Sequence, residues 1–235
     1  MIVLSMSCSN SASIIQEDLE LIGQFALSIP EPSGLSFSAS GSSLYTVSDE
    51  TNKIYNISKT GSILNIIDFT GNDIEGISLD RDNGQIWVVE ERDRKVIKLT
   101  ADGTPTSECQ LQIEQNDANS GLEGIAINQI DKSLYVLNEK NPGLLLELDS
   151  NGKILKETNL RFASDYSGIF HDELNDQLWI LSDQSRTINR SRTDGVLIES
   201  FNINVTQAEG IAVNSTEQLI YVVSDATENL YVFKY

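Results

Sequence analysis

One short motif occurs five times in this sequence: a glycine that follows Glu or Ser and precedes Leu or Ile. The five copies are E-P-S-G-L (31–35), D-I-E-G-I (73–77), G-L-E-G-I (121–125), D-Y-S-G-I (165–169) and Q-A-E-G-I (207–211). Their glycines are 42, 48, 44 and 42 residues apart. Repeats of this length are typical of four-stranded propeller blades. The chain is therefore predicted to be an all-β propeller, with five blades rather than six.

The rest of each repeat supports four strands, A to D. About ten residues after each glycine comes an apolar run rich in aromatic and β-branched residues, which predicts a buried strand B that ends in an acid. A third run follows, and in the first four repeats it ends at a pair that contains glycine: Thr60-Gly61, Asp102-Gly103, Asn151-Gly152 and Asp194-Gly195, in that order. Such pairs favour tight hairpin turns. A fourth run then leads to the next motif.

The fifth repeat has only three strands, because the sequence ends at Tyr235. The segment Leu19–Leu27 precedes the first motif at the spacing of a fourth strand. We expect it to pair with residues 229–235 and close the ring, which leaves no open sheet edge between the first and last blades. Residues 18–235 should thus form a single domain, and residues 1–17 a signal remnant or disordered tether. A β-sandwich would not repeat one strand signature five times.

The composition is strongly acidic, with 35 acidic and 16 basic side chains and a net charge of −19. No Lys or Arg precedes Lys53. A field of this sign repels nucleic-acid phosphates and anionic membranes. We therefore expect no nucleic-acid partner, and attribute most surface carboxylates to solubility.

The two cysteines are too few for a disulfide framework. Cys109 falls in a predicted strand and is expected to be a small, buried or half-buried residue. Cys8 follows the apolar stretch M-I-V-L-S-M-S and precedes a polar segment, an arrangement that resembles the end of a bacterial lipoprotein signal. Because the basic segment and long apolar core of a signal peptide are missing, this interpretation requires a leader upstream of residue 1. It predicts an extracytoplasmic protein with a lipid anchor at Cys8, and an uninformative N-terminus is the alternative.

Two sets of acids should meet at one mouth of the central channel. The first set precedes the motif glycine where the chain enters the innermost strand: Glu75, Glu123 and Glu209. The second set ends strand B: Asp49, Glu91, Glu139, Asp183 and Asp225. Like charges this close either acquire raised pKa values or bind a cation. Ligands that are all oxygen favour Ca²⁺, with Mg²⁺ second, whereas one His and no Cys cluster argue against zinc or copper.

A structural role is an equally good interpretation of the strand B acids. They could cap backbone amides or pair with basic residues of the neighbouring loops: Lys53, Arg92, Arg94, Lys140 and Arg186. For Glu75, Glu123 and Glu209 we favour metal binding, because few basic residues lie near them in the sequence.

Several of these motifs together resemble a known family. The E-P-S-G-L start, the repeated E-G-I motifs, the S-D at the end of strand B and the D-Y-S-G-I unit are similar to the SdiA-regulated (YjiK-like) β-propeller family of bacterial envelope-associated proteins. The resemblance covers about residues 18–235. It implies a five-bladed propeller, distantly related to NHL repeats, with a calcium ion at the motif acids. It implies no reaction.

Two classes of function remain open. The first is a monomeric, non-catalytic binding or scaffold protein that takes an unknown small molecule or protein at the channel mouth. The second is a calcium-dependent hydrolase of lactones, esters or phosphotriesters, by analogy with the gluconolactonase and paraoxonase propellers. Such enzymes pair the ion with a base. We favour the first class, because His171 is the one histidine and is expected to be a surface or loop residue at the opposite mouth.

Overall fold

The computed structural model describes residues 19–113 and 120–235, which form twenty strands in five antiparallel sheets of four. The first two blades contain β2 (Pro32–Phe37), β3 (Ser43–Ser48), β4 (Lys53–Ser58) and β5 (Ile63–Ile67), then β6 (Ile74–Leu79), β7 (Ile86–Glu90), β8 (Lys95–Leu99) and β9 (Pro105–Gln110). The third and fourth contain β10 (Leu122–Ile127), β11 (Leu134–Asn138), β12 (Leu144–Leu148) and β13 (Ile154–Asn159), then β14 (Gly168–Asp172), β15 (Gln177–Ser182), β16 (Thr187–Arg192) and β17 (Leu197–Asn202). The five-bladed propeller predicted from the repeat is confirmed.

The fifth blade joins both ends of the described chain. It consists of β18 (Ala208–Asn214), β19 (Leu219–Ser224), β20 (Asn229–Lys234) and, as its outermost strand, β1 (Glu20–Ala26). The pairing of β1 with β20 is antiparallel and runs from Ala26 opposite Asn229 to Glu20 opposite Lys234. The predicted closure by the N-terminal strand is therefore confirmed. Residues 1–17 and Cys8 lie outside the described residues.

The hydrophobic core lies between neighbouring blades. Trp87 and Val89 of the second blade pack with Leu122 and Val136 of the third, and equivalent clusters fill the other interfaces. Trp87 and Trp179 are buried, as their place in strand B predicts. Alternate residues of each inner strand face the two adjacent blades, so the ring is held by five similar apolar layers.

The motif glycines form the narrowest layer of the ring. A Cβ at Gly76 would lie 2.8 Å from the carbonyl oxygen of Glu123, and one at Gly210 would lie 2.5 Å from the carbonyl carbon of Gly34. Only a residue without a side chain permits inner strands to approach this closely. Together with the Leu or Ile that follows each glycine, the layer leaves no room for a water molecule on the axis. The central channel is thus divided into two separate depressions.

Two expectations need correction. The acids assigned to the end of strand B lie one residue beyond it: Asp49, Glu91, Glu139, Asp183 and Asp225. His171 is not a surface or loop residue. It lies within β14, its side chain is buried, its ring stacks on Tyr135, and Nε2 is 3.2 Å from Asp176 Oδ1. It does lie on the side of the glycine layer opposite the motif glutamates, as predicted.

Cys109 is half-buried in β9, as predicted, and its thiol lies 3.3 Å from the carbonyl oxygen of Gly152. Residues 19–113 and 120–235 contain no helix of the length and apolarity needed to cross a membrane.

Candidate metal-binding site at the acidic mouth

One face of the glycine layer opens into a depression of about 260 Å³, which we call the acidic cup. Nine carboxylates line it, with two serines and two glutamines, and no basic or apolar side chain is among these lining residues. The nine are Glu31, Asp49, Glu75, Glu123, Glu139, Asp165, Asp183, Glu209 and Asp225. Seven of the eight acids predicted from the sequence are therefore brought together in the cup. The eighth, Glu91, adjoins it beside Glu123 and Glu139.

A β-bulge presents each motif glutamate to the cup. The pairing of the innermost strand with its neighbour shifts between Ile74 and Gly76, so that Glu75 has no partner residue. The same shift occurs at Glu123 and at Glu209. A bulge adds one residue to a strand and redirects its side chain. Three bulges therefore bring these glutamates to the rim of the glycine layer.

The two motif serines have a different role. Ser33 Oγ donates a hydrogen bond of 2.7 Å to the carbonyl oxygen of Glu75, and Ser167 Oγ donates one of 2.7 Å to that of Ala208. Each bond joins the inner strands of adjacent blades. At this motif position, two blades therefore have a serine that bonds to the next blade, and three blades have a glutamate that lines the cup.

Two groups of three carboxylates are compact enough for a metal ion. Asp73, Glu75 and Glu91 can place their oxygen atoms within 4.8 Å of one another, and so can Glu91, Glu123 and Glu139. Both groups lie at the second and third blades and share Glu91. Among the described residues, these are the acidic groups that meet this spacing. The compact groups among the described residues therefore involve two of the five blades.

Burial and mutual repulsion raise the pKa values of the motif glutamates. Burial is the largest cause of the raised pKa in all three glutamates. The second largest cause is the charge of Asp49 for Glu75, and the charge of Glu75 for Glu123 and Glu209. The pKa of Glu75 is about 8, and those of Glu123 and Glu209 lie well above the ordinary value of 4.5. Carboxyls in this condition bind either protons or a cation at neutral pH.

The surrounding acids show smaller shifts with the same leading cause. Burial raises the pKa of Glu91 to about 7 against the opposing hydrogen bond from the Gly121 amide, and raises that of Asp49 to about 6 with help from Glu31. Burial and Glu31 also raise the pKa of Asp225. The acids of the cup therefore influence one another and do not titrate as independent groups.

Some of the predicted structural contacts are present. Lys140 Nζ lies 2.5 Å from Glu139, and the Gly121 amide donates a 3.1 Å hydrogen bond to Glu91 Oε1. Asp225 accepts a 3.0 Å hydrogen bond from Gln207. The capping and pairing alternative therefore describes part of the role of Glu91 and Glu139. It does not account for Glu123, a buried residue whose pKa is raised by burial and by the neighbouring carboxylates of Glu75 and Glu209.

Sequence reasoning missed three acids of this region: Glu31, Asp73 and Asp165. Asp73 pairs with Arg92 at 3.3 Å, and Asp165 accepts hydrogen bonds from Ser182 and from the Gln184 amide. All three occupy the first position of the five-residue motif, so a comparison of the repeats at that position could have found them.

The chain belongs to the SdiA-regulated family, whose sequence profile matches residues 25–234. The resemblance noted in the sequence is thereby confirmed.

The fold is also similar to solved structures of varied function. Glutaminyl cyclase from Myxococcus xanthus has a TM-score of 0.72 at 10% identity, over 94% of this chain and 98% of that one. A gluconolactonase from Xanthomonas campestris has a TM-score of 0.59 at 8% identity, over 94% and 96%. Virginiamycin B lyase from Staphylococcus aureus has a TM-score of 0.57 at 14% identity, over 93% and 100%. At these identities the likeness concerns the fold alone.

Proposed function

We propose that this protein is a calcium-binding β-propeller of the bacterial cell envelope that acts as a non-catalytic binding or scaffold protein. The observation that carries the proposal is the Glu123 carboxylate, which is buried at the floor of the cup within 4.8 Å of oxygens from Glu91 and Glu139. A buried carboxylate beside other carboxylates is strongly unfavourable unless it is neutralised. A cation at this point would remove that penalty.

The donor set supports Ca²⁺ over other ions. Every candidate ligand is a carboxylate oxygen, and Ca²⁺ takes about 6–8 oxygens in flexible geometry, whereas Mg²⁺ requires a tight octahedron. Asp73, Glu75, Glu91, Glu123 and Glu139 would hold the ion, and Glu209 would contribute from across the cup. When bound, the ion would offset the repulsion that raises the pKa values of these groups and would tie the second and third blades together.

The extracytoplasmic location is proposed from the sequence. Cys8 and its surroundings resemble a lipoprotein signal, and the family resemblance is to envelope-associated proteins. The ligand at the cup would be a small molecule or a protein, with the chain itself a monomer.

The position of His171 favours a non-catalytic role over hydrolysis. A hydrolase requires a general base near the metal-bound substrate, but His171 lies beyond the glycine layer and faces the other depression. The propellers of similar fold differ in reaction, so the fold does not decide for hydrolysis. The convergence of several carboxylates also favours a closed ion site over one with a position free for substrate.

Calcium binding can be tested by thermal unfolding of the chelated protein with and without added Ca²⁺. A ligand at 100 times its Kd stabilises the folded state by about 2.7 kcal/mol, which corresponds to roughly 5–10 °C for a domain of this size. Glu123→Gln should abolish most of the rise. Glu157→Gln, an exposed acid on β13, is the matched control and should respond as the unchanged protein does. If Ca²⁺ leaves every unfolding curve unchanged, the carboxylates form a structural cluster.

The absence of catalysis is tested separately with a panel of lactones, aryl esters and phosphotriesters. We expect no turnover above background with or without Ca²⁺. Calcium-dependent turnover that disappears in Glu75→Gln and Glu209→Gln would make this protein a hydrolase.

A further inference from the structure

A second depression lies on the side of the glycine layer opposite the acidic cup, and we call it the aromatic funnel. It consists of two adjoining cavities of about 40 and 180 Å³, which share Phe37, Arg81, Phe170 and His171. The inner cavity adds apolar residues of the innermost strands: Leu35, Leu79, Ile125, Ile127 and Ile169. The outer cavity adds polar residues at the ends of inner strands and in the loops that follow: Asp172, Glu173, Asn214, Ser215 and Thr216. The funnel therefore has an apolar floor and a polar rim.

One buried group of the funnel lacks a hydrogen-bond partner. The side chain of His171 is fully buried and lines both cavities, and its Nδ1 has no partner among the residues described. Its other nitrogen, Nε2, lies 3.2 Å from Asp176 Oδ1. Because a carboxylate only accepts hydrogen bonds, Nε2 carries the hydrogen and Nδ1 of the neutral ring is an acceptor. A buried acceptor is costly to leave unpaired, so this site favours a ligand that brings an O–H or N–H group.

Donor and acceptor groups also meet at the rim. Arg81 of the second blade and Glu173 of the fourth form an ion pair between Nη2 and Oε2, and their side chains are 38% and 41% exposed. A guanidinium has five N–H donors and a carboxylate about four acceptor sites, so each can hold the other and still bond to a ligand. Arg81 is the one Lys or Arg among the lining residues, against Asp172 and Glu173 in a protein of net charge −19. The rim therefore disfavours an anion and matches a neutral ligand with several hydroxyls.

The aromatic side chains provide an apolar surface of limited size. Phe37 and Phe170 are half-buried and meet edge to face, with their ring centroids 6.0 Å apart. Pockets for drug-sized ligands measure about 300–1,000 Å³, whereas both cavities of the funnel are smaller. The funnel therefore fits a single ring with polar edges. A pyranose is such a ring, because its hydroxyls project from the edge and its C–H groups cover the faces.

We propose that the aromatic funnel binds one pyranose ring of a neutral sugar. The C–H face of the ring packs on Phe37 and Phe170. Its hydroxyls bond to Arg81 and Glu173 at the rim, and one of them donates to Nδ1 of His171. The glycine layer separates this site from the acidic cup, so sugar binding is independent of calcium.

The test uses His171 as a reporter, since the sequence contains one histidine. The full chain with isotope-labelled histidine is titrated with methyl β-D-glucopyranoside in the presence of a chelator and followed by NMR. We expect a saturable shift of the Nδ1 resonance, with the same affinity when Ca²⁺ replaces the chelator. Cyclohexanol, a ring with one hydroxyl, and benzoate, a ring with a negative charge, should each bind at least tenfold more weakly.

A pair of matched variants tests the rim. Arg81→Gln should weaken the affinity for the glucoside about tenfold or more, because it removes a charged donor. Arg161→Gln should leave the affinity unchanged, since Arg161 is exposed and lies outside both cavities. Equal affinities in the two variants would overturn the proposal, and so would an Nδ1 resonance that does not move or benzoate that binds as tightly as the glucoside. Because the titration is done without calcium, failure of this proposal leaves the proposed calcium site intact, and the reverse also holds.

Discussion

Raising the pH should destabilise the calcium-free protein, because the motif glutamates hold their protons more tightly in the fold than in the unfolded chain. The pKa of Glu75 is about 8 in the fold against an ordinary 4.5. The folded state therefore binds more protons than the unfolded state across this interval, and stability falls as pH rises through it. Below about pH 4.5 the contribution is fully present, and above about pH 8 it is lost.

The size of the effect follows from the same shift. One pH unit corresponds to about 1.4 kcal/mol for a single group. Glu75 alone would thus lower the free energy of unfolding by on the order of 5 kcal/mol between about pH 4.5 and about pH 8. Glu123 and Glu209 shift in the same direction. Since whole domains are stable by about 5–15 kcal/mol, a fall in Tm on the order of 10–20 °C is expected.

Differential scanning calorimetry in the presence of a chelator measures this effect from about pH 5 to about pH 9. Glu75→Gln removes one titrating group and should flatten the decline in Tm. Glu157→Gln, at an exposed position on β13, should leave the decline as it is. Saturating Ca²⁺ should remove most of the pH dependence, because the ion takes the place of the protons.

A Tm of the chelated protein that stays level or rises over this range would refute the reasoning. So would a decline that is equally steep in Glu75→Gln and in the unchanged protein. Either result would mean that the motif carboxyls are solvated or paired in solution and that their burial does not govern stability.

Two further perturbations test the ring itself. Gly76→Ala would place a Cβ 2.8 Å from the Glu123 carbonyl oxygen and should lower stability by about 1–3 kcal/mol or more. Gly41→Ala has open space but a φ of +68°, so chemical denaturation should show a loss of only about 1 kcal/mol; equal losses would contradict the close approach of the inner strands. Deleting residues 1–28 removes β1 and should lower Tm sharply, whereas deleting 1–15 should leave it unchanged; equal melting of the two truncations would contradict closure by β1.

Much of the architecture could be predicted because the sequence repeats it. Five copies of one motif indicated five blades, and the missing fourth strand of the last repeat indicated that β1 pairs with β20. The same register placed the strand B acids at one mouth, since residues at equivalent positions of a repeat occupy equivalent positions around the ring. Four of those five acids line the acidic cup, as do the three motif glutamates.

The parts that escaped prediction depend on local backbone geometry. The bulges at Glu75, Glu123 and Glu209 leave little mark on the alternation of apolar and polar residues, because only one paired residue of the strand precedes each bulge. The burial of His171 depends on its packing against Tyr135 of a neighbouring blade. The restriction of the compact carboxylate groups to the second and third blades likewise depends on side-chain positions and not on spacing along the chain.

The repeat provides an internal comparison that bears on why the glutamates are present. Ser33 and Ser167 occupy the motif position in two blades and satisfy it with a neutral hydrogen bond to the next inner strand. The fold therefore does not require a carboxylate there. Glu75, Glu123 and Glu209 nevertheless bury acids beside one another, an arrangement that is unfavourable without a compensating cation. A neutral residue should therefore stabilise the calcium-free ring more than these glutamates do, and the proposed cation would account for their presence.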